Sequence, residues 1–184
     1  TTSDSQKKIE TGVEIKLDML EKQAKKIYLG LGSNLGYKKK NIESAKFLLQ
    51  QNNKFRIVKT SSFYKTKSYP NYKDPFFLNI VIEGKTFLKP LDLFIFVKQI
   101  ELMLGRKKSF KNAPRVCDID ILDYKNKKIK EQIILPHPSM HKRNFVLFPL
   151  FEINKVWTHP IKKKDIKTLI LALPNRDIRS IKQI

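Results

Sequence analysis

Long apolar runs are missing from this chain: no window offers the ~18 continuous apolar residues that a membrane-spanning helix needs. The first residues, TTSDSQKKIETG, lack the apolar stretch of a secretory signal. Cysteine is nearly absent. Cys117 stands alone, which excludes a disulfide framework and any multi-cysteine zinc site and makes a reducing, cytoplasmic compartment the expectation. Arginine is scarce too, supplying six of the 38 basic residues (56, 106, 115, 143, 176 and 179). The formal net charge of +21 therefore comes mainly from lysine, in runs such as Lys38-Lys39-Lys40 and Lys162-Lys163-Lys164. Such runs read as solvated faces, and a basic surface steers anionic nucleotides inward. No G-x-x-x-x-G-K-[ST] string exists, so a P-loop kinase is excluded. Gly30, Gly32 and Gly36 follow G-x-G-x-x-x-G, one residue too long for a dinucleotide fingerprint. They are expected to end a strand tightly and lead into a helix.

What is present fits one domain with a core that needs no staple. Strands are expected over 26–31, 55–65 and 77–87, and helices over 41–51 and 91–104, where Leu93, Val97, Ile100 and Leu104 repeat at helical spacing before Gly105. A strand over 118–124 should turn back near Lys125-Asn126, with a short strand from Ile133 ending at Pro136-His137-Pro138. The order is β-α-β-β-α-β, the ferredoxin-like α+β sandwich, with two helices on one face of an antiparallel sheet. Additions are expected at both ends. Asp165 can cap a helix striped by Ile166, Leu169, Ile170 and Leu173, and Val13, Leu17 and Leu20 suggest an amphipathic helix over 13–25. Residues 1–26 then form an N-terminal extension and 27–184 the single domain.

The stretch GRKKSFKNAPRVCDID, Gly105 to Asp120, carries the chemistry. Asp118 and Asp120 sit two apart on an alternating strand, so their side chains share a face from Cα atoms about 6.6 Å apart. Cys117 falls on the opposite face with Ile119 and Ile121, as a small buried hydrophobe. Just upstream lie Arg106, Lys107, Lys108, Lys111 and Arg115. Hard oxygen ligands beside guanidinium and ammonium donors describe a Mg²⁺-dependent phosphoryl-transfer site. Pro138 prevents His137 and His141 from aligning on one helix as metal ligands, and His141 and His159 read as surface residues.

The strings YLGLGSNLG (28–36), SSFYKT (61–66), FFLN (76–79), GR (105–106), APRVCDIDIL (113–122), LPHP (135–138) and RNFVLFPLFEI (143–153) occur in that order. Together, over about 27–155, they resemble the 6-hydroxymethyl-7,8-dihydropterin pyrophosphokinases of folate biosynthesis. The resemblance implies transfer of pyrophosphate from ATP to the hydroxymethyl group of the reduced pterin, with release of AMP. It implies that Asp118 and Asp120 hold two Mg²⁺ ions, and that Arg106 and Arg115 bracket a loop that closes on the phosphates. By the same resemblance Lys108, His137 and Arg143 contact ATP, and Glu101 reaches its ribose. Phe77 and Phe145 would stack on the pterin, with Thr66 and Asn79 bonding its edge. Read from the residues alone, Glu101 is equally a helix-surface acid paired with Lys98.

The loop departs from the family pattern at Lys111-Asn112-Ala113-Pro114-Arg115, where many relatives carry a Trp before the Pro-Arg; Phe110 or charge alone would have to close it. The implied partners are ATP and the pterin, without nucleic acid or membrane, and with possible association with a neighbouring enzyme of the pathway. The rival reading is a basic RNA-binding module on a ferredoxin-like sheet. It lacks its signature, since no RNP1 string is present, and the aspartates would repel phosphate without Mg²⁺.

Overall fold

A nearly unbroken apolar run, Ile27 to Leu31, makes β1 (Lys25–Ser33) a central strand, since both its faces are covered. The computed structural model describes residues 23–68, 73–107 and 113–184. Two antiparallel neighbours flank β1: β4 (Phe77–Thr86) on one side and β5 (Asp118–Tyr124) on the other. Beyond β4 come β2 (Phe55–Thr60) and β3 (Tyr64–Thr66), both antiparallel to it. The sheet thus runs β5-β1-β4-β3, with β2 also on β4, and the last strand, β8 (Lys182–Gln183), extends the β3 edge. A separate hairpin joins β6 (Ile129–Lys130) to β7 (Ile134–Leu135).

The alternation of these strands sorts the core into two layers. Ile27, Leu29, Leu31, Ile80, Ile82, Ile119 and Cys117 pack against Ile42, Ala45 and Leu49 of α1 (Lys38–Gln50) and Leu93, Val97 and Ile100 of α2 (Pro90–Met103). Pro90 starts α2 at a position that lacks a helical partner for its missing N–H, and Gly105 turns the chain out with φ 93°. On the opposite face, Tyr28, Val81 and Leu122 meet α3 (Asn144–Ile153) through Val146, Leu147 and Leu150. Trp157 and α4 (Ile166–Leu171) complete that layer. Helices therefore cover both faces, but α3 and α4 cover only part of theirs. The uncovered part becomes a cavity.

Several expectations are corrected. The strand expected over 55–65 is two strands. At the break, the Ser61 hydroxyl accepts from the Val81 amide at 2.9 Å, and the Ser62 amide and hydroxyl both donate to Glu152 of α3. Hydroxyls competing for ladder groups interrupt a strand whose apolar pattern looks continuous. The C-terminal helix stops at Leu171, before Pro174, although Asp165 caps it by accepting from the Thr168 amide at 2.8 Å. A further helix, α5 (Asn175–Ser180), precedes β8. His159 is not at the surface: it is 3% exposed, and its Nδ1 accepts from the amides of Ile161 and Lys162. His141 is half-buried, with its ring edge-to-face on His159 at 5.7 Å. The helix expected over 13–25 lies outside the described residues except at its end, where Lys25 already belongs to β1.

Candidate active site

Gly30 and Gly32 form the floor of the cavity. In register, Gly30 faces Asp120 and Gly32 faces Asp118 across the β1–β5 pair, while Gly32 faces Asn79 across β1–β4. A Cβ on Gly32 would lie 2.9 Å from Asn79 Oδ1. Contrary to the expectation that they end the strand, these two glycines lie inside it, since β1 runs on to Ser33. They keep a bare backbone stripe between three polar side chains, whereas Gly36 alone, with φ 65°, serves the turn into α1. The cavity above has a volume of about 770 Å³.

One wall is a carboxylate–guanidinium lattice. Arg106 and Arg115 each donate to a different oxygen of Asp118, both at 2.7 Å. Arg143 reaches Asp120 Oδ2 at 3.3 Å, with His137 Nε2 at 3.9 Å from the same oxygen. Burial pushes the Asp118 carboxyl up from the ordinary carboxylate range, against the downward pull of Arg115 and Arg106. Burial pushes His137 down and so favours the neutral imidazole, while the Asp120 charge opposes this by favouring the protonated ring. The His137 amide donates to the Leu122 carbonyl at 2.8 Å, fixing it beside the strand that carries the aspartates.

Glu101 stands behind this wall and not in the cavity. It is 1% exposed, and its oxygens accept from Lys98 Nζ at 2.8 Å, from the Ile119 amide at 2.7 Å and from Arg106. The expected contact with a ribose finds no open face here; of the alternative, the pairing with Lys98 is present but the acid is buried and not on the helix surface. Glu101 instead grips the backbone between the two aspartates and the guanidinium that binds the first of them.

The base of the basic loop is held by two asparagines that the sequence offered only as a strand end, Asn34, and as a helix start, Asn41. Asn34, 1% exposed, accepts from the Arg115 amide at 2.8 Å and returns a backbone bond to its carbonyl. Asn41 Nδ2 lies within hydrogen-bond reach of Ser33 Oγ and of the carbonyls of Leu35 and Val116, donating to them at 3.2, 2.8 and 3.2 Å. The Ser-Asn of the glycine-rich string was the available signal. Lys108, Phe110 and Lys111 lie outside the described residues.

Thr66, Phe77, Asn79 and Phe145 line the same cavity. Asn79 Nδ2 donates to Thr66 Oγ1 at 3.0 Å, which leaves Asn79 Oδ1 directed over Gly32. The Arg143 guanidinium lies 5.5 Å from the Phe145 ring centroid, linking the aromatic end to the carboxylate wall. Of the expected site residues, ten line the cavity: these four with Arg106, Arg115, Asp118, Asp120, His137 and Arg143. Lys98, Lys142, Arg176 and Asp177 line it too, without having been foreseen. Among the described residues no three His, Cys, Asp or Glu side chains form a metal-binding group. Two neighbouring carboxylates suit Mg²⁺ all the same, because that ion takes one or two protein carboxylates and completes its shell with phosphate and water.

The model of the family described as 7,8-dihydro-6-hydroxymethylpterin-pyrophosphokinase (HPPK) matches residues 28–155. The chain is 40% identical over 146 residues to the 2-amino-4-hydroxy-6-hydroxymethyldihydropteridine pyrophosphokinase of Aquifex aeolicus, covering 77% of this chain and 88% of that one. To the protein of the same name from Bacillus subtilis it is 41% identical over 127 residues, covering 68% and 76%. A crystal structure of wild-type Plasmodium falciparum HPPK-DHPS shares the fold, with a TM-score of 0.66 at 16% identity over 87% of this chain. This chain spans 47% of that longer one.

Proposed function

The chain belongs to the 7,8-dihydro-6-hydroxymethylpterin-pyrophosphokinase family, and on that premise we propose that it transfers pyrophosphate from ATP to the hydroxymethyl group of 6-hydroxymethyl-7,8-dihydropterin, releasing AMP. The observation that carries this reading is the juxtaposition in one cavity of two carboxylates, a set of guanidiniums and an aromatic pocket beside a cleared backbone floor. The acceptor hydroxyl attacks the β-phosphorus, and the bond from that phosphorus to the α–β bridging oxygen breaks. AMP leaves with the bridging oxygen, and the hydroxyl proton passes to solvent or to a phosphate oxygen. No covalent enzyme intermediate is involved, so positioning and electrostatics supply the rate.

Arg106 and Arg115 now share the carboxylate of Asp118. Triphosphate oxygens are equally good bidentate partners, so on nucleotide binding both guanidiniums turn toward the phosphates. Arg143 and His137 serve the nucleotide from the Asp120 side, and Lys108 is a further candidate. Phe77 and Phe145 sandwich the pterin, with Asn79 and Thr66 bonding its amide-like edge. Two Mg²⁺ ions, held by Asp118 and Asp120, would neutralise charge on the phosphates. Glu101 is assigned a positioning role and not a ribose contact.

The strand order β5-β1-β4-β3 supports reading the sheet as ferredoxin-like. No described helix is long and apolar enough to cross a membrane, and a cytoplasmic enzyme is the reading that fits. The two-part HPPK-DHPS relative makes association with a neighbouring folate enzyme a further part of the proposal. Nothing favours an RNA-binding module: the face it would use is partly covered by α3 and α4 and carries carboxylates where it is open.

The test is AMP release from ATP and Mg²⁺ with and without the pterin. Pterin-dependent AMP, with the pterin gaining two phosphates, is expected. AMP formation independent of the pterin, or none with it, sinks the proposal.

A further inference from the structure

We propose that the C-terminal strap, residues 174–184, forms the outer wall of the acceptor end of the cavity, and that Arg176 is a binding residue for the acceptor heterocycle. The inference rests on the pterin reading above and goes beyond it, because the strap lies outside the residues 28–155 matched by the family. The strap is tied to the two sides of the proposed acceptor pocket. At its far end β8 pairs with β3, placing Gln183 opposite Tyr64 and Lys182 opposite Lys65, next to Thr66. The Ile184 amide adds a bond to the Phe63 carbonyl at 2.9 Å, and Gln183 Nε2 donates to Ser62 Oγ at 3.0 Å.

At its near end, Asn144 Nδ2 donates to the Asp177 carbonyl at 2.8 Å. The same Asn144 accepts, through Oδ1, from the amide of Phe145 at 2.7 Å. One strap therefore joins the strand that carries Thr66 to the helix start that carries Phe145. Arg176 and Asp177, at the near anchor, and Ser180, between the two anchors, contribute to the cavity lining.

No α5 residue is buried, and only the half-buried Ile178 packs on the core. The strap is thus held chiefly by hydrogen bonds at its two ends, and little core packing explains its course. The Arg176 side chain is 75% exposed, with Nε 3.6 Å from Asp177 Oδ1. A planar guanidinium on the lip of an aromatic pocket offers both a stacking face and paired donors. A flat heterocycle whose rim carries a carbonyl and ring nitrogens accepts both.

The test compares the wild type with Arg176→Ala and Arg176→Lys in steady-state turnover, with both substrates varied. Loss of one exposed donor pair should raise the KM for the pterin about fivefold in Arg176→Ala, with the KM for ATP and kcat changed less than about twofold. Arg176→Lys keeps the charge but not the fork, and should recover only part of the loss. A raised KM for ATP with the pterin KM unchanged would assign Arg176 to the phosphates and overturn the inference. No change in either KM would make the strap a solvent-facing cover and overturn it equally. Wild-type turnover separates the two readings: its absence removes the pterin assignment itself, whereas normal wild-type turnover with an unaffected Arg176→Ala removes this inference alone. Matching thermal midpoints of the three proteins exclude misfolding as the cause.

Discussion

Asp118 and Asp120 have different surroundings, and this difference carries a residue-scale prediction. Asp118 is pinned by two arginines, while Asp120, its side chain 38% exposed, has among the described residues Arg143 and His137 beside it at longer range. Asp120→Ala removes a half-exposed carboxylate without orphaning a buried cation, so the protein should fold with a near-native thermal midpoint. Turnover should fall by about a thousandfold or more, as expected when a ligand for a charge-neutralising cation is lost. AMP release near the wild-type rate would remove Asp120 from the mechanism. Gly32 makes a second case. A Cβ 2.9 Å from Asn79 Oδ1 forces that side chain aside, so Gly32→Ala should raise the KM for the pterin and leave the KM for ATP nearly unchanged. A variant with both KM values unchanged would show that Asn79 does not read the acceptor. The aspartate pair was legible in sequence because period-two alternation fixes its face. The role of Gly32 was not, since the clearance depends on a partner 47 residues away that only sheet register reveals.

At the scale of elements, legibility followed periodicity. β1, β4, β5 and α2 have strong apolar patterns and appear within a residue or two of expectation. The helix α3 falls within the motif over 143–153, and Pro149 inside it argues locally against a helix. Its apolar residues Val146, Leu147 and Leu150 override that local cost by filling the second core layer. α5 has no buried residue and β8 only two residues, so neither left a pattern to read. The tie between α2 and β5 was hidden for a different reason. Glu101 sits on a helix that reads as amphipathic, and only packing shows its carboxylate buried among Lys98, Arg106 and the Ile119 amide. Glu101→Gln keeps an acceptor for that amide but removes the charge that restrains Arg106. It should cost about 1–3 kcal/mol of stability and lower kcat more than it alters either KM. An unchanged kcat with a raised KM for ATP would restore the ribose contact that the resemblance implied.

The whole molecule carries its charge asymmetrically in function as well as in number. Most of the +21 is spread lysine, but the cavity gathers Arg106, Arg115, Arg143 and Arg176, four of the six arginines. Away from that cavity, stability at low pH depends on the second core layer. His159, 3% exposed, packs edge-to-face on Trp157 and His141 and accepts two amides of its own loop. Burial, then the neighbouring His141 and Lys162, pushes its imidazole down to about 4. His141 shifts the same way, with Lys162 and Lys142 adding to the effect of burial. A folded-state value below the unfolded one means that the stability is fully present above about pH 6.5. It is lost as pH falls from there toward 4, by up to about 3 kcal/mol for His159. Asp118 and Asp123 oppose this, since burial raises both carboxyls and a raised carboxyl favours the folded state as pH falls. The His159 contribution can still be isolated with His159→Asn, whose Oδ1 can accept the same two amides without titrating. Thermal midpoints measured from pH 7.5 to 4.5 should fall more steeply for the wild type than for this variant, the two curves converging toward the acid end. Parallel curves across that range would show that His159 is as readily protonated folded as unfolded, and that its burial carries no pH dependence.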